Sequence, residues 1–277
     1  MTDSNVKPNH GGEPRFEVSW KSGDLYEYFM GRWSRLVARA FIDWLSPPPG
    51  LKWLDIGCGS GALSEAIINN CNPSEVTAID QSDGFVKEAQ KRLGKLVHCR
   101  VGNALSLPVE DASVHFAVSG LVLNHISEPI NALTEMKRVT AIGGTVAIYV
   151  WDYSGKMELL NRFWDTAVTL DPKASALHQA YCFPNSTVGA LTGLFDAAGF
   201  VDIESAPIDI ETRFRDFDDY WKPFLGGQGQ APTYLMSLNE TDRQMLRDRL
   251  FESLPIQDDG SIRLEARALA VKGKLKK

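Results

Sequence analysis

The chain has 277 residues, 44% hydrophobic and 23% charged, which is enough for a sizeable core in one large domain or one domain with a small cap. Its formal net charge is −6, from 35 acidic and 29 basic side chains, which argues against a nucleic-acid partner because phosphate neutralisation needs a basic excess. No apolar run approaches the roughly 20 residues of a membrane span, and the start lacks an export signal, so a cytoplasmic protein with no membrane partner is expected.

Residues 1–24 are polar and rich in Gly, Asn and Pro, and are expected to form a disordered tail ahead of a single domain over 25–277. Between 25 and 45 apolar side chains recur with a period near 3.6, predicting a helix that stops at Pro47-Pro48-Pro49-Gly50. The pattern then changes to short apolar runs alternating with helical segments. Strands are predicted at 51–56, 75–80, 96–101, 114–119 and 145–150, with helices at 61–70, 83–93 and from Ser127 to 139. This alternation predicts an α/β fold, a parallel sheet wound by helices on both faces. After Trp151 the rhythm loosens. Helices are predicted near 157–170, 187–198 and 242–254, and strands at 200–208 and 262–271, the last half-exposed by its alternation. Residues 25–151 read as the cofactor-binding core, and 152–190 and 210–260 as cap segments over the carboxyl edge of the sheet.

The sharpest motif is Leu54-Asp55-Ile56-Gly57-Cys58-Gly59-Ser60-Gly61, a strand that breaks into a glycine turn and enters a helix. Glycines there permit positive φ and close approach of a ligand to the main chain. Gly57-x-Gly59-x-x-Ala62 also fits a dinucleotide fingerprint, so an NAD(P)-dependent oxidoreductase is an alternative, although no YxxxK proton-donor motif is present. Asp55, two residues before the first glycine, favours an ammonium group over a pyrophosphate. Asp80 closes the next strand and suits two ribose hydroxyls in either reading. Cys58 sits where a thiol pKa can fall, but a bound cofactor would cover it. Cys58, Cys71, Cys99 and Cys182 show no metal-ligand spacing, so no metal is expected and reduced thiols are the simplest reading.

With LDIGCGSG, AIDQSD, GNALSLPVEDASVHFAVSGLVLNHI and RVTAIGGTVAIYVWD in order, residues 25–151 resemble the class I S-adenosylmethionine-dependent methyltransferases, in the broad small-molecule group that includes quinone-biosynthesis enzymes. The resemblance implies a Rossmann-like, doubly wound, seven-stranded and mostly parallel sheet whose last strand is antiparallel, with an N-terminal helix and a small helical cap. It implies S-adenosyl-L-methionine as cofactor. Gly57, Cys58 and Gly59 would lie against the methionine portion, Asp80 on the ribose, Gln81 beside the adenine, Asn103 and Ala104 at the adenine edge, and Ser119 near the sulfur. Asn103 departs from the usual Asp, and His115 stands where an Asp is common. Arg32 is expected to pair with the methionine carboxylate and Tyr28 to lie near the sulfonium, against the alternative of packed aromatics and solvated arginines; Trp33 reads as core.

His125, at the carboxyl end of the fourth strand, is the candidate general base, with a packed histidine as the alternative and His178 as a weaker candidate. The acceptor is expected to be a small apolar or aromatic molecule held among Trp151, Tyr153, Phe163, Trp164, Tyr181, Phe183, Trp221 and Phe224. A non-catalytic S-adenosylmethionine-binding protein of the same fold is a further alternative. Neither oligomeric state nor the methylated atom is readable.

Overall fold

The computed structural model describes residues 6–8, 14–16, 27–183, 186–226 and 229–276. Near the start, β1 (Val6–Pro8) pairs antiparallel with β2 (Pro14–Phe16), so part of the expected tail is strand. A single π-helical turn, Glu27–Gly31, leads into α1 (Arg32–Leu45). α1 buries Trp33, Val37, Ala38, Phe41, Ile42 and Leu45 on one face, and Ser46 at φ 45° closes it by donating its N–H to Ile42. The predicted helix over 25–45 is therefore shorter, and its first described turn is π.

The winding region follows, strands alternating with helices except that β5 runs to β6 without one: β3 (Lys52–Ile56), α2 (Ala62–Cys71), β4 (Glu75–Asp80), α3 (Asp83–Leu93), β5 (His98–Val101), β6 (Val114–Gly120), α4 (Pro129–Val139) and β7 (Thr140–Trp151). Beyond it lie α5 (Glu158–Leu170), α6 (Gln179–Cys182), α7 (Val188–Ala197), β8 (Val201–Phe214), α8 (Phe217–Trp221), α9 (Gln230–Ser237), α10 (Glu240–Ser253) and β9 (Ile262–Lys274). The sheet has seven strands in the order β5-β4-β3-β6-β7-β9-β8. β9 runs antiparallel to both neighbours, while β3 to β7 pair in parallel. This is the expected Rossmann-like sheet, with the last strand in the chain lying inside it.

Alternation along the central strands divides the core between the two sheet faces. Trp53, Val76, Ala78, Phe116, Val118, Ala147 and Tyr149 pack with α1, α2 and the cap. Leu54, Ile56, Ile79, Ala117, Val146 and Ile148 pack with α4 and α7. Burial on both faces explains why these strands read as near-continuous apolar runs.

The cap boundaries differ from the sequence reading. Residues 210–214 continue β8 and so belong to the sheet, while Leu191 and Phe195 of α7, beyond the first cap segment, pack on the opposite sheet face. β9 alternates as expected only up to Arg267, where Arg267 makes a bidentate pair with Asp209 on the exposed side. Its later residues lie in the sheet interior and are almost all buried.

Candidate active site

β3 ends at Ile56, and the chain turns through Gly57, Gly59 and Gly61 at φ of 71°, 54° and 91° before α2 begins. Gly57 and Cys58 both donate their N–H to the Ile79 carbonyl, tying the turn to the end of β4. A Cβ on Gly57 would come within 2.5 Å of Val122 Cγ2, and one on Gly61 within 2.7 Å of Leu93 Cδ1, so these two glycines are needed for packing. A Cβ on Gly59 would meet nothing within 4 Å. Its missing side chain leaves space in a cavity of about 440 Å³ over the carboxyl edge of the sheet.

Asp80 anchors one end of this cavity. Its Oδ2 accepts from the Gly59 N–H at 2.9 Å and its Oδ1 from the Ser82 N–H at 2.8 Å. The Gln81 N–H also faces the carboxyl, and the accepting capacity that remains suits ribose hydroxyls. Burial raises the carboxyl pKa and these N–H groups oppose the rise. Asp55 is fully buried in the same wall. Ser64 donates to its Oδ2 at 2.7 Å, while Oδ1 has no partner among the described residues. Burial, the largest cause, pushes its pKa up to about 7. A buried carboxylate oxygen without a donor favours a cationic ligand group. The open face at Gly59, the spare lone pairs of Asp80 and the unpaired oxygen of Asp55 together fit a ligand with an ammonium group at one end and a ribose beyond it.

Residues 54–148 match the methyltransferase-domain family model. A demethylmenaquinone methyltransferase from Bacillus cytotoxicus is 36% identical over 35% of this chain and 44% of its own length. A ubiquinone/menaquinone biosynthesis C-methyltransferase from Roseobacter denitrificans is 25% identical over 53% of this chain and 67% of its own. Across the curated relatives it matches, the chain spans about half of their length. A Haemonchus contortus phosphoethanolamine N-methyltransferase 2, solved with phosphomonomethylethanolamine and S-adenosylhomocysteine, superposes with a TM-score of 0.57 at 16% identity. That likeness covers 95% of this chain and 62% of the other, and shows the shared fold.

Residues 54–148 carry a methyltransferase domain of the class I S-adenosylmethionine-dependent kind. S-adenosylmethionine is the cofactor of this methyltransferase domain, and the glycine turn with Asp55 and Asp80 is the part of the cavity that fits it.

The remaining expected cofactor residues divide into two groups. Cys58, Gln81, Asn103 and Ala104 all line the cavity with Gly57 and Gly59. Asn103 Oδ1 already accepts the Leu105 N–H at 2.9 Å, so the side chain is held in a turn with one lone pair left. Burial and then the fields of Asp55 and Asp80 raise the Cys58 pKa well above its ordinary value, the reverse of an activated thiol. The second group lies away from the cavity. Arg32 points instead at the cap, with Nη1 2.9 Å from Asp219 Oδ2 and the guanidinium 4.2 Å from the Trp33 ring centroid. It does not line the cavity, because an acidic partner and two aromatic faces already hold it. Ser119 is buried, and its hydroxyl donates to the Ile56 carbonyl at 2.7 Å; Gly120 lines the cavity in its place. The side chain of Tyr28 lies outside the described residues. Phe29, Met30 and Ser34, from the π turn and the start of α1, line the cavity.

The other end is aromatic. Trp151, Tyr153 and Phe183 line it as expected, joined by Tyr149 and Leu160. Tyr153 stacks on Phe183 with centroids 4.9 Å apart, and the His125 ring meets Phe183 edge-on at 4.9 Å. Phe163, Trp164, Trp221 and Phe224 are instead fully packed core behind the wall, and Tyr181 is 73% exposed on the outside. His125 faces the cavity, and the protein surrounding it lowers its pKa to about 4. His178 is excluded from the cavity because its Nδ1 caps α6, accepting from the Ala180 N–H. Among the described residues no cationic Lys or Arg lines the cavity, and no group of three His, Cys, Asp or Glu side chains is placed to hold a metal ion. No described helix is long and apolar enough to cross a membrane.

Sequence reasoning missed Gln179 and Gln230, two amides in the aromatic end. Gln179 stands four residues before Phe183, whose N–H bonds back to the Gln179 carbonyl, so both face the same way. That spacing was the available signal, but a turn this short carries no periodicity.

Proposed function

We propose that this chain transfers the methyl group of S-adenosylmethionine to a small, uncharged, flat aromatic acceptor. The observation that carries the reading is that one cavity is walled at one end by the glycine turn with Asp55 and Asp80 and at the other by Tyr149, Trp151, Tyr153 and Phe183. When bound, S-adenosylmethionine supplies a methyl group on a sulfonium that is already a good leaving group.

The chain's own residues then have three tasks. Asp80 holds hydroxyls with its remaining lone pairs, and Asp55 draws an ammonium group towards its unpaired oxygen. The aromatic end excludes water and fixes the plane of the acceptor, so that its nucleophilic atom meets the methyl group in line. His125 is neutral at pH 7, lines the cavity and acts as a weak base toward the acceptor. Its low basicity suits an acceptor that gives up its proton readily. The absence of a cationic side chain from the described wall disfavours phosphorylated or carboxylated acceptors, unlike the phosphomonomethylethanolamine bound by the Haemonchus enzyme. The quinone methyltransferases among the relatives support an aromatic acceptor.

Calorimetric titration with S-adenosylhomocysteine, with NADH and NADPH in parallel, tests the cofactor half. Micromolar binding of S-adenosylhomocysteine alone is expected, and binding of a nicotinamide nucleotide instead would overturn the reading. Asp80→Asn should weaken S-adenosylhomocysteine at least tenfold while the protein still unfolds cooperatively. Release of S-adenosylhomocysteine on a panel of neutral phenols, and not on their phosphate esters, tests the acceptor half.

A further inference from the structure

Gln179 is a buried side chain in the acceptor end whose amide orientation is fixed by its neighbour. Trp164 Nε1 lies 3.1 Å from its Oε1. An indole nitrogen can only donate, so the atom facing Trp164 must be the amide oxygen and the nitrogen must be the other arm. Trp164 is itself completely buried and packed against Phe163 and Tyr234, so the direction is rigid. No described group accepts from Gln179 Nε2, and this nitrogen is not among the buried polar atoms sealed without a partner. Its N–H donors therefore open onto the cavity that the residue lines. The turn carrying it is held from a second side, where Gln230 Nε2 donates to Cys182 Sγ at 3.1 Å.

We infer that Gln179 reads the acceptor, donating an N–H to an uncharged oxygen, a ring carbonyl or a phenolic hydroxyl, on a flat aromatic molecule seated between it and the Tyr153–Phe183 stack. The assignment rests on the methyltransferase reading for its purpose, but the donor is a property of the wall itself. An apolar wall with one fixed donor favours a ring bearing an oxygen over the same ring without one, because the donor is otherwise left unpaired when the acceptor displaces water. Gln179 thus sets which ring, and which orientation of it, is held.

The probes are 1-indanone, 5-indanol and their oxygen-free parent indane, each titrated calorimetrically into the protein at pH 8.5 with and without S-adenosylhomocysteine. The wild-type protein should prefer at least one oxygenated probe over indane by about tenfold, and which one it prefers separates a carbonyl from a phenol. Gln179→Glu keeps an oxygen for the Trp164 indole but replaces the donor with a charged acceptor. It should abolish the preference for the carbonyl probe over indane, leave S-adenosylhomocysteine affinity unchanged, and let the preference recover partly at pH 5.5, where a protonated carboxyl can donate again. Gln179→Leu should lose the preference at both pH values. No preference in the wild type, no probe bound, an unchanged preference in Gln179→Glu, or an equal loss for indane would each overturn the assignment. Failure of S-adenosylhomocysteine to bind the wild type would overturn the methyltransferase reading instead, and the probe ratio would still decide the role of Gln179.

Discussion

Asp55 is the side chain on which stability and function pull in opposite directions. Its folded pKa stands at about 7 against an ordinary 3.8, because burial penalises the charge. The folded state therefore holds a proton that the unfolded chain releases from about pH 4 upward. The stability this gives is complete below the ordinary value and is lost as pH rises through about 7. Above that point the charged group costs the unliganded protein on the order of 4 kcal/mol. The melting temperature of wild type should fall between pH 5 and pH 8 by more than that of Asp55→Asn, as calorimetry at the two pH values will show. Affinity for S-adenosylhomocysteine should rise over the same interval in wild type and stay flat in the variant. His125 behaves differently, since it is already neutral from about pH 5 upward. His125→Asn should lower kcat about tenfold, the small effect expected of a weak base, and wild-type kcat measured at saturating S-adenosylmethionine should show no inflection near 6.5. These two side chains were legible from position alone, at the ends of predicted strands. Their protonation was not, because it depends on burial that no local pattern encodes.

At the scale of elements, the β3–α2 turn separates packing from ligand contact within three residues. Gly57→Ala forces a methyl into Val122 and should cost about 1–3 kcal/mol, read as a drop in melting temperature that Val122→Ala partly restores. Gly59→Ala meets no protein atom, so it should weaken S-adenosylhomocysteine far more than it lowers stability. Arg32 ties α1 to α8 through Asp219, 187 residues further along, with one partner about a third exposed. Arg32→Ala should cost about 1 kcal/mol and leave cofactor affinity untouched. Its sequence neighbourhood fitted a helix over the cofactor, and nothing local distinguished that ligand from a distant aspartate. The winding region was legible because its strands are buried on both faces and its helices are long enough to show a period. The cap was not, because α6 and α8 and the short 3-10 turns beside them complete too few turns to reveal a buried face.

For the molecule as a whole, the cavity walls come from both ends of the winding region and from the cap, so a ligand bridges segments that the sequence separates widely. S-adenosylhomocysteine at a hundred times its dissociation constant should stabilise the fold by about 2.7 kcal/mol, measurable as a concentration-dependent melting temperature. The strand order carries a different consequence. β8 pairs with β9 and with no other described strand, and β9 also covers the open edge of β7. During synthesis β7 and β8 therefore emerge with unsatisfied edges and must wait for Ile262–Lys274 to leave the ribosome. A chain interrupted between α10 and β9 would expose two adhesive edges at once, which makes it a client for chaperones or proteases. The placement of β9 thus makes closure of the sheet depend on a strand that is distant in sequence from both of its neighbours.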